Sequence, residues 1–164
     1  WYREQHAALV GALRAAPPEL AAWTFLPAPS PLAFWARRQA HETAVHRADA
    51  AAAYGKEVPG YGTDFAVDGI DELLLGFMAR RGRLRSEVET TLLIAPDDAD
   101  DRWLVTIGPE RASTRKVARP ATCTLRGPVG RLYLFLWNRV PEARVEGDPA
   151  VAALWRERAR VSWS

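Results

Sequence analysis

Hydrophobic positions along the chain change period twice, and those changes outline the elements. From Trp1 to Ala16 the apolar residues Tyr2, Leu9, Val10 and Leu13 recur at helical spacing. Pro17 and Pro18 end that segment, because proline lacks an amide donor and pushes the residue before it out of the helical region. After the proline-rich link "ELAAWTFLPAPSP", Ser30 is placed to cap a helix and Pro31 to sit in its first turn. That helix is expected to run to about Tyr54, with Gly55 as a left-handed stop. The turn-rich stretch "GKEVPGYGTDFAV" marks a domain boundary near Gly62. Asp68 is expected to open the next helix, with Asp71 at the capping-box position. Ile70, Leu73, Leu74, Phe77 and Met78 then follow the helical template, towards an end near "RRGR".

Alternation follows. "EVETTLLIA" puts Val88, Thr90, Leu92 and Ile94 on one side, and "RWLVTIG" does the same for Trp103, Val105 and Ile107. With polar "PDDADD" between them, the two predict an antiparallel pair. "ATCTLRG" reads as a further strand with Ala121, Cys123 and Leu125 facing one way. "PVGRLYLFLWNR" reads as a buried helix with Pro128 at its first position, and "ARVEG" as a short edge strand. Asp148 and Pro149 open a last helix through "AVAALWRERAR". The expected fold class is α+β, with residues 1–62 all-helical and residues 63–164 a small α+β domain with a mostly antiparallel sheet. Two helices make a thin bundle, and "WYREQHAALV" reads as the middle of a helical protein, so a preceding segment is expected.

Composition narrows the functional classes. Of 164 residues, 48% are hydrophobic and 26% charged, as in globular domains. The formal charge is +2, and the arginines alternate with acids instead of forming a basic tract, which argues against a nucleic-acid partner. The single cysteine, Cys123, excludes an internal disulfide framework and fits a reducing, cytoplasmic setting. It reads as a thiol of the sheet core. No apolar run approaches the roughly 20 residues that a membrane span needs, so no membrane partner is expected.

The chemistry concentrates in the long helix. Arg38, Glu42 and His46 are spaced four apart, so they form one stripe, each about 40° from the next. Trp35, Val45 and Asp49 share that half of the helix, whereas Ala36, Ala40, Ala44 and Ala51 line the other. The stripe has two readings. It can be a solvated i, i+4 charge ladder. Alternatively, Glu42 and His46 supply a carboxylate and an imidazole to one divalent ion such as zinc. His41 points about 140° from His46 and does not join them. His6, in the first helix, is the other histidine available as a third ligand, and an amphipathic filler is the simpler reading of it.

"FWARRQAHETAVHRADA", followed by "DGIDELLLGFMARR", "WLVTIG", "CTLRGPVGRLYLFLWNR" and "VEGD", resembles the mycothiol-dependent maleylpyruvate isomerase family. The resemblance covers about Trp1 to Trp155. It implies a DinB-like metal-binding bundle, of which residues 1–62 would be the C-terminal half, and a C-terminal domain related to sterol carrier proteins. It implies zinc bound by Glu42 and His46 together with a histidine from an early bundle helix, here expected upstream of residue 1. It also implies mycothiol as thiol cosubstrate. The thiolate adds to the cis double bond of maleylpyruvate, the new single bond rotates, and expulsion of the thiol gives fumarylpyruvate. Arg38 is a candidate to orient the carboxylate ligand or meet the substrate. Arg139, in "LWNR", is a candidate for the arginine that the family draws from its C-terminal domain. For Arg139, a charge that satisfies the end of a helix is an equal reading.

Family membership does not fix the substrate. A mycothiol S-transferase would use the same thiolate on another electrophile. A non-catalytic module that binds a ligand or partner through "LYLFLW" is a third reading, although core packing explains that segment as well. The expected partners are a small-molecule thiol and an electrophilic substrate, with a homo-oligomer as a further expectation.

Overall fold

The computed structural model describes residues 1–58, 60–80 and 84–161. They form two compact units, residues 1–46 and 47–164, and the division falls inside a continuous helix. Among the described residues no helix is long and apolar enough to cross a membrane.

The first unit holds α1 (Tyr2–Ala15) and most of α2 (Pro31–Ala53). Both match the spacing argument. Ser30 Oγ accepts the Ala33 amide at 3.1 Å, as an N-cap should. After the last turn, Gly55 takes φ +62°, the left-handed stop that the sequence indicated. None of the α1 residues is buried. In the link between the helices, Phe25 packs edge-on against Phe34 and Trp35, and the Trp35 indole donates to the Trp23 carbonyl.

The second unit is built on a five-stranded sheet, β1 (Thr90–Pro96), β2 (Trp103–Ile107), β3 (Ala112–Lys116), β4 (Cys123–Gly127) and β5 (Arg144–Gly147), in the order β3-β2-β1-β4-β5. All pairings are antiparallel except β1–β4. The register sets Leu92 against Val105 and Cys123, and Ile94 against Trp103 and Leu125, so these side chains share one face. All six are fully buried. Helices α4 (Val129–Leu136) and α5 (Pro149–Arg158) pack against the sheet, and α3 (Thr63–Asp71) packs on α4. Asp148 caps α5 by accepting the Ala150 amide at 2.9 Å. Gly147, just before it, has φ +88°, and a Cβ there would collide with the Thr122 carbonyl oxygen.

Several expectations change. The third helix starts at Thr63, five residues before Asp68, because Ala66, Gly69 and Ile70 already face the core. Asp71 therefore caps nothing; it accepts the Trp103 indole at 2.6 Å and pairs with Lys116 at 3.0 Å. From Glu72 to Phe77 the chain widens into a π-helix, with the Met78 amide bonded to the Leu73 carbonyl. The expected end at "RRGR" falls partly on residues 81–83, outside the described residues. Val88, expected in the first strand, lies before β1 and is 77% exposed, and β3 is a further strand that the hydrophobic pattern does not reveal, since an edge strand reading "ASTRK" carries little apolar alternation. Pro128 precedes α4 as its cap and not as its first residue.

Candidate functional site

Helix α2 carries the candidate metal ligands. Glu42 and His46 do converge: His46 Nε2 lies 3.0 Å from Glu42 Oε1. The other carboxylate oxygen, Oε2, accepts Arg38 Nη2 at 3.0 Å. One carboxylate thus ties an imidazole on one side to a guanidinium on the other. The three side chains differ in burial, at 61% exposed for His46, 36% for Glu42 and 3% for Arg38. The stripe is therefore graded, wet at His46 and closed at Arg38. A solvated ladder does not describe Arg38, whose charge is held away from water with Glu42 as a hydrogen-bonded partner.

The inward face of α2, which the sequence pattern leaves open, takes residues from both halves. Phe34, Arg38, His41, Val45 and Ala48 are buried, in a four-three-four-three spacing that is a regular helical seam. Of the alanines on the other half, Ala44 is buried, whereas Ala36 and Ala40 are exposed. His41, which points away from His46, is the most buried histidine, at 1% exposed. Its spacing from Phe34 and Val45 was legible, but a histidine and an arginine disguise a seam that hydrophobicity alone would reveal. His6 is exposed on α1 and stacks with Tyr2 at 6.5 Å.

The donor set fits a divalent ion at two corners. A carboxylate oxygen and an imidazole nitrogen, converging from one helix face, are standard zinc donors. Among the described residues no group of three or more such side chains is gathered in one place.

Arg139 lies in the second unit. Its Nε and Nη2 donate to the two oxygens of Asp49 at 2.9 and 3.2 Å, and Nη1 donates to the Trp137 carbonyl at 2.7 Å. The contact with Trp137, a carbonyl at the end of α4, is the helix-end role weighed above. The bidentate carboxylate pair is additional. Asp49 stands three residues after His46 on the same helix. Tyr61 also senses this end of α2: burial raises its hydroxyl pKa, Arg47 lowers it, and Asp49 raises it.

Cys123 is a core thiol. It is fully buried, and burial pushes its pKa up, which disfavours a nucleophilic role. The "LYLFLW" segment is core as well, with Leu132 to Leu136 all buried. A recess of about 310 Å³ lies where β1 and β4 end, lined by Arg126, Arg131 and Arg144. Those arginines bond Glu146, Glu142 and Asp97 respectively, so the recess has no excess of positive charge.

Comparison with known proteins agrees with the arrangement of a helical unit followed by a sheet domain. Residues 1–51 match the mycothiol maleylpyruvate isomerase N-terminal domain, and residues 64–154 match the MDMPI C-terminal domain. The chain belongs to the mycothiol maleylpyruvate isomerase family. No curated protein matches it. Among solved structures it is similar to a UbiJ-SCP2 ubiquinone synthesis protein, at 21% identity and a TM-score of 0.35, over 62% of this chain and 95% of that one.

Proposed function

We propose that this family member is a metal-assisted, thiol-dependent enzyme. It uses mycothiol to isomerise maleylpyruvate or a related unsaturated acid. The observation that carries the reading is the convergence of Glu42 Oε1 and His46 Nε2 to 3.0 Å on one face of α2. Glu42 and His46 would hold the ion, with at least one more donor. When bound, a divalent ion there favours the thiolate form of a nearby thiol at neutral pH. Arg38 holds the Glu42 carboxylate by its second oxygen, which fixes the direction in which Oε1 points. His46, the most exposed of the three, keeps the site open to a small molecule. Arg139 offers a cation for an acidic substrate.

Metal analysis of the intact protein, with an assay for loss of the cis acid in the presence of mycothiol, tests the proposal. About one zinc per chain is expected, lost in both Glu42→Ala and His46→Ala. Unchanged zinc content in both variants refutes it. If the thiol stays in the product, the protein is an S-transferase and not an isomerase.

A further inference from the structure

Arg139 follows a turn that most side chains do not make. Asn138 has φ +60°, the one non-glycine residue with positive φ among those described. Its amide donates to the Phe135 carbonyl at 2.8 Å, and the Arg139 amide donates to the Leu134 carbonyl at 2.9 Å. These two bonds close a Schellman turn with Asn138 at its left-handed position, where asparagine is tolerated after glycine. Asn138 Nδ2 also donates to the Ala159 carbonyl at 3.1 Å, anchoring the turn to the end of α5. The chain leaves the α4 axis at Asn138, and Arg139 is the first residue beyond it.

Three of the five N–H groups of Arg139 are bonded, two to Asp49 and one to Trp137. Among the described residues the remaining two, one on each terminal nitrogen, make no hydrogen bond. A guanidinium fixed on one side and open on the other is arranged to take a second carboxylate. We infer that Asn138 and Asp49 are positioning residues that hold Arg139 as a preset clamp for a carboxylate of the acidic substrate. The inference rests on the proposed function, and it adds the residues that set the clamp.

Two opposing effects of Asp49 have to be weighed. Its charge offsets that of Arg139, which weakens attraction for an anion. It also removes the rotamer freedom that a long side chain otherwise loses on binding. The Arg139 and Asp49 side chains are 30% and 40% exposed, so screening reduces the first effect, and the ordering effect is taken as the larger.

Maleate serves as the probe, with its affinity for the intact protein measured by calorimetry, alongside KM and kcat in the mycothiol-dependent assay. Arg139→Gln should weaken maleate roughly tenfold or more. Asn138→Ala should weaken it severalfold and raise KM for the acid, with kcat and KM for the thiol nearly unchanged. Asn138→Gly, which keeps the left-handed turn, should restore both. Asp49→Asn should weaken maleate in the wild-type background and do nothing further in Arg139→Gln. If Arg139→Gln binds maleate normally, Arg139 is not the carboxylate contact and the role given to it above falls too. If Arg139→Gln weakens binding but Asn138→Ala does not, or Asp49→Asn strengthens it, the positioning inference alone is overturned.

Discussion

The two units are held together in different ways. The second unit has a sheet face on which Leu92, Ile94, Trp103, Val105, Ile107, Cys123 and Leu125 are all fully buried, roofed by helices that contribute Leu132, Tyr133 and Trp155. In the first unit α1 buries nothing, and the inward seam of α2 includes an arginine and a histidine. One unit invests its apolar residues in a core, while the other carries the convergent Glu42 and His46 on a helix with a thinner apolar seam. The lesson is that the chemistry and the stability of this protein should respond to different substitutions.

The largest test of that separation is Trp155→Ala. Trp155 is fully buried and donates its indole to the Leu136 carbonyl, so its loss should destabilise the second unit by about 3–5 kcal/mol in denaturant unfolding. A loss under about 1 kcal/mol would mean that the sheet core is not the stabilising region. Next come Glu42→Ala and His46→Ala. Each should abolish zinc binding and slow the thiol-dependent reaction by roughly a hundredfold, about 2.7 kcal/mol in transition-state terms. In denaturant unfolding His46→Ala should change stability by only about 0.5 kcal/mol, since that side chain is 61% exposed, whereas Glu42→Ala should cost about 1–3 kcal/mol, because it takes the hydrogen-bonded partner from the buried Arg38. A collapse of stability in His46→Ala would erase the distinction between the units.

Two glycines sharpen the same contrast with opposite signs. Gly147→Ala should destabilise by about 2–4 kcal/mol, combining a left-handed backbone with a backbone clash. Gly11→Ala, in mid-α1 with nothing near its Cβ position, should instead stabilise by about 0.5–1 kcal/mol. Thermal melts of both variants decide the point. The smallest effect is on pH. Cys123 and Tyr61 both have pKa values raised by burial. Each therefore contributes stability that is fully present below its unfolded pKa and lost as pH rises through the folded one. The melting temperature should fall gradually above about pH 8.5. The decline should be smaller in Cys123→Ala, and an unchanged slope there would remove Cys123 from the account.

The elements were largely legible because their signals are local. Ser30 before Pro31, Asp148 before Pro149, and the alternation in "TLLIAP" and "WLVTI" each report a backbone state through nearby residues. The misses share a cause. The π-helical turn at Glu72–Phe77, the early start at Thr63 and the polar edge strand β3 are decided by what packs against them. The same holds for the site. The four-residue spacing of Glu42 and His46 set their convergence in advance, as helical geometry requires.

The sequence by itself determined most of the helices and strands, the α+β class, the buried sheet face, and the placing of Arg38, Glu42 and His46 on one stripe. It could not decide which side of α2 faces inward, because the seam through Phe34, Arg38, His41, Val45 and Ala48 mixes charge with apolar residues, and hydrophobic pattern alone cannot orient such a helix. Nor could it pair Arg139 with Asp49, 90 residues earlier. That contact joins two side chains far apart in the sequence through the packing of the second unit, and no local spacing encodes it.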